Sequence, residues 1–170
     1  MTRTPVALVH GWGGSFASTW ERSGFAALLE DAGVPVLGID LLGHGDAPKP
    51  HDPDDYADLT RRIVDALPDE PVDAVGFSLG AMTLLRLAID QPHRFEHLVL
   101  AGLGSNIFDR DTSGTQAIVA GLDHVAAGGD PSTLDTRVRL FTQYAAQPGN
   151  DLAALTAVMK RAPATAITPQ

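Results

Sequence analysis

Two kinds of apolar pattern alternate along the first hundred residues. Short apolar runs with β-branched residues, typical of buried strands, occur near 5–10, 34–40, 72–77 and 97–102. Segments with apolar residues every three or four positions, typical of helices, separate them near 21–32, 56–67 and 79–91. This alternation predicts an α/β fold with a mostly parallel four-stranded sheet and right-handed crossovers.

The pattern changes after residue 104. From there three helical segments follow one another near 113–127, 132–146 and 151–161, with Pro131 and Pro148 between them. We therefore expect two parts: an α/β core over 1–104 and a helical segment over 105–170. The helices could form a cap over the core or simply pack against the sheet.

The most informative motif is Gly76-Phe77-Ser78-Leu79-Gly80, between the third predicted strand and the helix that follows it. The Gly-x-Ser-x-Gly form places a serine hydroxyl on a sharp strand-to-helix turn, a nucleophile elbow. Glycine is needed at 76 and 80 because the backbone there is strained and its neighbours approach closely. The motif predicts that Ser78 is a nucleophile.

Two more glycine-rich turns follow strands. His10-Gly11-Trp12-Gly13-Gly14 comes directly after the first predicted strand, and Asp40-Leu41-Leu42-Gly43-His44-Gly45 begins at the end of the second. Ligands of open α/β sheets bind at the carboxyl ends of the strands. All three turns are predicted to converge on that edge.

Together the three motifs resemble the α/β-hydrolase superfamily, in the branch with His-Gly-x-Gly and Asp-x-x-Gly-His-Gly that contains small esterases, lactonases and C–C-bond hydrolases. The resemblance is close from residue 5 to about 105. It implies a partial α/β-hydrolase fold with strand order second, first, third, fourth, followed by a helical cap.

The resemblance also implies roles. Ser78 would be the catalytic nucleophile, and the backbone N–H groups of Trp12 and Leu79 would form the oxyanion hole. Two fixed N–H donors stabilise the negative oxygen of a tetrahedral intermediate, and losing one typically costs about 3 kcal/mol. His10 and Gly11 would be structural, as would the two elbow glycines.

The family places a catalytic acid and a histidine after later strands, and we identify neither here. The six histidines are His10, His44, His51, His93, His97 and His124, and none is assigned as the base. The sequence could be part of a longer protein, a natural truncation, or half of a site completed by another chain. We favour the first because the three glycine turns are intact.

Charge narrows the function classes. With 12 basic and 21 acidic residues the net charge is −9, which argues against nucleic-acid binding. The acidic loop with Asp52, Asp54, Asp55 and Asp58 is interpreted as a solvated start of the 56–67 helix, not as a calcium loop. No metal or other cofactor is expected, and the absence of cysteine excludes disulfides and a thiol nucleophile.

Hydrophobic residues make up 44% of the chain, enough for a core, and no apolar run approaches a membrane span. A first strand this close to the start leaves no room for a signal peptide, so a cytoplasmic protein is expected. Trp12 and Phe77 could line an acyl pocket or simply pack.

We expect a serine-dependent hydrolase of a small ester, thioester or lactone. A noncatalytic binding or scaffold protein, and a C–C hydrolase or lyase of the same fold, remain alternatives. The expected partner is a small-molecule substrate, and the open edge of the fourth strand could pair with a second copy or a complementing chain.

Overall fold

A four-stranded parallel sheet carries the core of the structure. The computed structural model describes residues 3–104, 107–108, 112–162 and 167. Its strands are β1 (Val6–Val9), β2 (Val36–Ile39), β3 (Val72–Phe77) and β4 (Phe95–Ala101). Their order is β2-β1-β3-β4, which confirms the predicted topology.

The registers align the carboxyl ends of the strands. Val9 at the end of β1 is paired with Ile39 on β2 and with Gly76 on β3. Phe77 at the end of β3 is paired with Ala101 on β4. The three glycine turns therefore begin at the same edge of the sheet.

Three helices connect the strands: α1 (Phe25–Asp31), α2 (Thr60–Ala66) and α3 (Leu79–Asp90). Where one helix was predicted over 21–32, a π-helical turn at Ala17–Glu21 precedes α1, and Gly24 interrupts the two with a φ of +79°. Short 3₁₀ turns lie at Pro53–Tyr56, Pro92–Arg94 and Pro131–Thr133.

The expected helix start at residue 56 is wrong, because two aspartates divide that segment. Asp52 accepts a hydrogen bond from the Asp54 N–H at 3.0 Å and caps the first 3₁₀ turn. Asp58 accepts from the Thr60 N–H at 2.9 Å, where α2 begins. Both side chains satisfy N–H groups that a new helix leaves without partners.

Apolar residues fill both faces of the sheet, which explains the unbroken apolar run in β1. Ala7 and Val9 face one buried cluster, which α2 and α3 complete, whereas Val6 and Leu8 face another beside α1. Strands covered on both faces lose the polar alternation of half-exposed strands.

Three more helices, α4 (Thr112–Ala126), α5 (Thr136–Ala145) and α6 (Leu152–Lys160), follow the sheet. They share a third buried cluster with Trp12, Tyr56 and Leu59, so they pack over the loops at the carboxyl edge. We call α4–α6 and their connections the cap. The predicted boundary at 104/105 and the last residues to 170 fall on or next to residues outside the described ranges. No helix in the described part of the chain is long and apolar enough to span a bilayer.

Candidate active site

Ser78 occupies a strained turn between β3 and α3. Its backbone has φ 50° and ψ −108°, and it is the one non-glycine residue with positive φ among the described residues. Its N–H donates to the Ala101 carbonyl at 2.8 Å, which ties the turn to the end of β4. Such a backbone costs about 1–3 kcal/mol and persists only where its surroundings impose it, commonly at functional sites.

The two elbow glycines are required by close approaches. A Cβ at Gly76 would lie 2.7 Å from the backbone N of Ala81, and a Cβ at Gly80 would lie 2.5 Å from the carbonyl oxygens of Val9 and His10. Backbone atoms cannot move aside as a flexible side chain can. The start of α3 therefore rests directly against the end of β1 and the glycine loop that follows it.

Leu79, one of the two expected oxyanion donors, is the first residue of α3. An N–H at this position has no acceptor within the helix and lies at the positive end of the helix dipole. The Leu79 side chain packs against both the sheet cluster and the cap cluster. The backbone at Leu79 is thereby fixed between the sheet and the cap.

Residues 11–14 form a tight turn, which we call the glycine loop. The Gly14 N–H donates to the Gly11 carbonyl at 3.1 Å, and Gly13 has φ +72°. Positive φ at the third position is what a type II turn requires. A Cβ on Gly11 would lie 3.4 Å from the Phe77 carbonyl oxygen, so the loop passes beside the nucleophile elbow.

His10 holds this loop through both ring nitrogens. Nδ1 lies 2.7 Å from the Gly11 carbonyl, and Nε2 lies 3.1 Å from the Leu41 N–H. Because Nε2 accepts, the proton is on Nδ1 and the ring is neutral. Burial lowers the pKa of His10, although the Gly11 hydrogen bond and Asp40 oppose the shift. The 3.5 Å approach of Nε2 to Asp40 Oδ1 is therefore not an ion pair.

The His10 hydrogen bond orients the other expected oxyanion donor. The Gly11 carbonyl and the Trp12 N–H belong to one peptide unit, and in a trans peptide they point in opposite directions. Since Gly11 O is held by His10 Nδ1 and the Gly14 N–H, the direction of the Trp12 N–H is fixed too. The ring itself is fully buried and acts through the backbone.

Asp40 links its own glycine turn, residues 40–45, to the segment that follows the glycine loop. Its Oδ1 accepts from the Phe16 N–H at 2.7 Å, and its Oδ2 accepts from the Asp46 N–H at 2.8 Å. A Cβ at Gly45 would lie 2.0 Å from that carboxylate. The spacing of the Asp-x-x-Gly-x-Gly motif thus follows from folding the loop around its own aspartate.

His44 is the least expected member of the site. The side chain is fully buried, and its Nδ1 bonds to the Leu42 carbonyl at 3.0 Å. Its Nε2 has no hydrogen-bond partner among the described residues, and the ring lies 5.1 Å from that of His10. Burial, with a smaller contribution from His10, lowers the pKa of His44 to about 4.

The remaining histidines lie in other surroundings. His51 and His97 contact Asp151 and Asp73 at 3.0 and 2.8 Å, and His124 Nε2 lies 3.3 Å from the Asp130 carbonyl. His93 is exposed in the 3₁₀ turn before β4. No histidine is hydrogen-bonded to Ser78 within the part of the chain that the structure describes.

One group of side chains in the described residues could hold a metal ion. Asp73, Glu96 and His97 each offer a ligand atom within 4.8 Å of the others. A register shift between Val72 and Ala74 places the extra β4 residue opposite Asp73, so that both Glu96 and His97 approach it. The group is near the amino ends of β3 and β4, at the edge of the sheet opposite Ser78.

The cap contacts with the glycine loop could not be read from sequence. Trp12, considered for an acyl pocket, is buried and packs against Phe141 at 5.5 Å between ring centroids. Phe77 is 46% exposed, with its ring beside Gly11. An open cavity of about 930 Å³ borders the loop at Gly13, and Ser78 is not among the residues that line it. The contact between Trp12 and Phe141 depends on the tertiary packing of the cap.

A parallel sheet with a serine on a strained strand-to-helix turn, next to a glycine-rich turn, defines the class of α/β proteins with a nucleophile elbow. Residues 4–149 match the family described as the alpha/beta hydrolase fold. The chain belongs to this family.

Its relatives include esterases. A pimeloyl-[acyl-carrier protein] methyl ester esterase of Neisseria meningitidis serogroup C is 39% identical over 99 residues, which span 56% of this chain and 35% of that protein. A putative esterase, NocK of Nocardia uniformis, is 38% identical over 105 residues, covering 54% and 30%. The matched region is thus about a third of the length of these relatives.

Solved structures show the same fold. NosK from Streptomyces actuosus superposes with a TM-score of 0.61 at 27% identity, covering 92% of this chain and 65% of that one. The esterase EaEST of Exiguobacterium antarcticum gives a TM-score of 0.66 at 18% identity, covering 93% and 65%. The match to NosK and EaEST thus extends through most of the cap.

Proposed function

We propose that this chain carries the nucleophile and oxyanion hole of a serine-dependent hydrolase for a small ester, thioester or lactone. The observation that carries the proposal is the Ser78 backbone, at φ 50° and ψ −108° between β3 and α3. The esterase names of relatives near 39% identity support the reaction class.

The reaction follows the chemistry of acyl transfer. Ser78 Oγ attacks the carbonyl carbon while its hydroxyl proton passes to a base. The carbonyl oxygen becomes an oxyanion that accepts hydrogen bonds from the N–H groups of Leu79 and Trp12. When the carbon–oxygen or carbon–sulfur bond breaks, the alcohol or thiol takes up the proton. Water then hydrolyses the acyl-serine.

We propose that the base and its acid come from outside the described residues. A histidine base must reach Ser78 Oγ at about 3 Å, and His10, the histidine directly before the glycine loop, has both nitrogens engaged by backbone groups. Further sequence of the same protein or a partner chain would supply it. The region that matches the esterases is about a third of their length. The activity of the whole protein is therefore proposed here as well.

The second candidate is a noncatalytic binding protein with the same fold. The observation that favours it is that Ser78 has no histidine partner among the described residues. Without a base, a serine hydroxyl stays protonated and is a poor nucleophile near pH 7. The C–C hydrolase alternative and the cytoplasmic location stay predictions from sequence.

A fluorophosphonate probe separates the two candidates. Because the base is proposed to lie outside the described residues, we expect rapid, stoichiometric labelling in the protein or complex that supplies it, with the added mass on the peptide that contains Ser78. Ser78→Ala should abolish the label, whereas Ser132→Ala, which removes an exposed hydroxyl at the start of a 3₁₀ turn, should keep it.

The controls decide how the result is interpreted. Labelling that survives in Ser78→Ala, or that is equal in heat-denatured protein, would show that Ser78 is not an activated nucleophile. Absence of label together with saturable binding of an ester ligand would favour the binding protein.

A further inference from the structure

The cap holds the glycine loop through two hydrogen bonds and a ring contact. The Trp12 indole Nε1–H donates to the carbonyl of Leu155, within α6, at 3.1 Å. The Asn150 side-chain nitrogen donates to the Gly13 carbonyl at 2.9 Å. The Tyr144 ring of α5 occupies the space that a Cβ on Gly13 would need, 2.8 Å from it.

Asn150 suits this position through its amide group. Its Nδ2 also lies 3.1 Å from the Tyr144 carbonyl, so that one NH₂ group serves two acceptors. Both partners are carbonyl oxygens, hence only the two-donor side of the amide can face them. An aspartate of the same size would present an acceptor to two acceptors. Asn150 thus joins the end of α5 to the glycine loop.

The two ends of the glycine loop are held by different parts of the molecule. The Gly11 carbonyl is fixed from the core, by His10. The Gly13 carbonyl is fixed from the cap, by Asn150. The Trp12 backbone lies between these two points, and its N–H is the proposed oxyanion donor.

We propose that Asn150 is a positioning residue that couples the seating of the cap to the order of the glycine loop. When the cap lifts, the Gly13 carbonyl and the Trp12 indole lose their partners together, and the turn is held from the core side alone. The consequence for catalysis rests on the proposed function, because it requires the Trp12 N–H to be an oxyanion donor.

Amide and indole hydrogen exchange, measured by NMR on the full chain, tests the coupling without requiring activity. In Asn150→Ala and Asn150→Asp we expect the glycine-loop amides and the Trp12 indole to exchange about tenfold faster, the loss of one or two hydrogen bonds. Trp12 and Trp20 are the two tryptophans of the sequence, and Trp12→Phe assigns the indole signals. Gln143→Ala, an exposed amide on α5, is the matched control and should leave these rates unchanged.

Exchange in the wild-type chain gives a second measurement if the Asn150 variants do not fold. In low concentrations of urea, exchange of the Trp12 indole should report the same free energy of opening as the amides of α6. The amides of β1 should report a different one. Unchanged exchange in both variants, or opening of Trp12 together with β1, would overturn the proposal.

The rate of fluorophosphonate labelling then separates this proposal from the proposed function. A rate about tenfold lower in both Asn150 variants supports a role in the oxyanion hole. Faster exchange with an unchanged labelling rate would show that the coupling exists but does not position the oxyanion donor. If Ser78 is never labelled even where the base is supplied, the result counts against the hydrolase, while the exchange rates still decide the coupling.

Discussion

His44 is buried, and one of its two nitrogens has no hydrogen-bond partner within the described residues. We expect this to give the chain a pH-dependent stability. Around it lie His10, Asp40 and Arg161, whose charges act on its pKa in opposite directions. The sum, dominated by burial, lowers the pKa from 6.5 to about 4. A proton taken up at His44 would therefore oppose folding.

The predicted effect is a loss of stability in mild acid. Because the folded pKa of His44 lies below the unfolded value of 6.5, the unfolded state binds the proton first. The neutral His44 makes its full contribution to the free energy of unfolding above about pH 6.5. This contribution, about 3 kcal/mol in total, is lost as the pH falls to about 4. Urea unfolding of the wild type and of His44→Asn across this range measures it, and the variant should show a shallower slope. Equal slopes would contradict the assignment.

Individual residues differ in how far the sequence reveals them. Ser78, Gly76 and Gly80 are predictable because local backbone geometry dictates the motif. Asn150 is not, because its role depends on the cap returning to a loop more than a hundred residues earlier in the chain. The burial of His44 likewise depends on tertiary packing, which brings His10 beside it.

Among the elements, the turn between β3 and α3 has a strained backbone at Ser78, and glycine at this position would relieve the strain. Ser78→Gly should raise the free energy of unfolding by about 1 kcal/mol, since glycine adopts positive φ without steric cost and this gain exceeds its extra entropy in the unfolded chain. Ser78→Ala is the matched control, because it removes the hydroxyl and keeps the strain. Both variants should lose the fluorophosphonate label, and urea midpoints compare them. A Ser78→Gly protein no more stable than Ser78→Ala would show that the turn is not strained.

The strands followed from apolar runs and alternation, which short-range sequence reveals well, whereas their order followed from the resemblance to the α/β-hydrolase superfamily. Helix starts were less predictable. The helix expected at residue 56 begins at Thr60, because Asp52 and Asp58 each make local hydrogen bonds that periodicity does not register. The segment before α1 was divided by Gly24 in the same local way.

For the molecule as a whole, the free edge of β4 is the main structural liability. Within the described residues β4 pairs with β3 on one side and with no strand on the other. Val99 and Phe77 are 55% and 46% exposed, so apolar side chains lie close to unpaired backbone groups. Edges of this kind invite pairing with another chain.

We predict that two copies of the chain associate through their β4 edges. Light scattering across a range of concentrations should show the mass rising from monomer to dimer. Val99→Lys should shift this equilibrium toward monomer, because a charged residue on an edge strand disfavours pairing. A wild-type mass that stays monomeric at high concentration would contradict the prediction.

The position of Trp12 has an optical consequence. Its indole lies between the Phe141 ring and the Leu155 carbonyl, with 8% of the residue exposed. Any motion that lifts the cap would wet this fluorophore and shift its emission to longer wavelength. In a Trp20→Phe background Trp12 would be the single tryptophan, and its emission wavelength would report the position of the cap in real time, without an attached label.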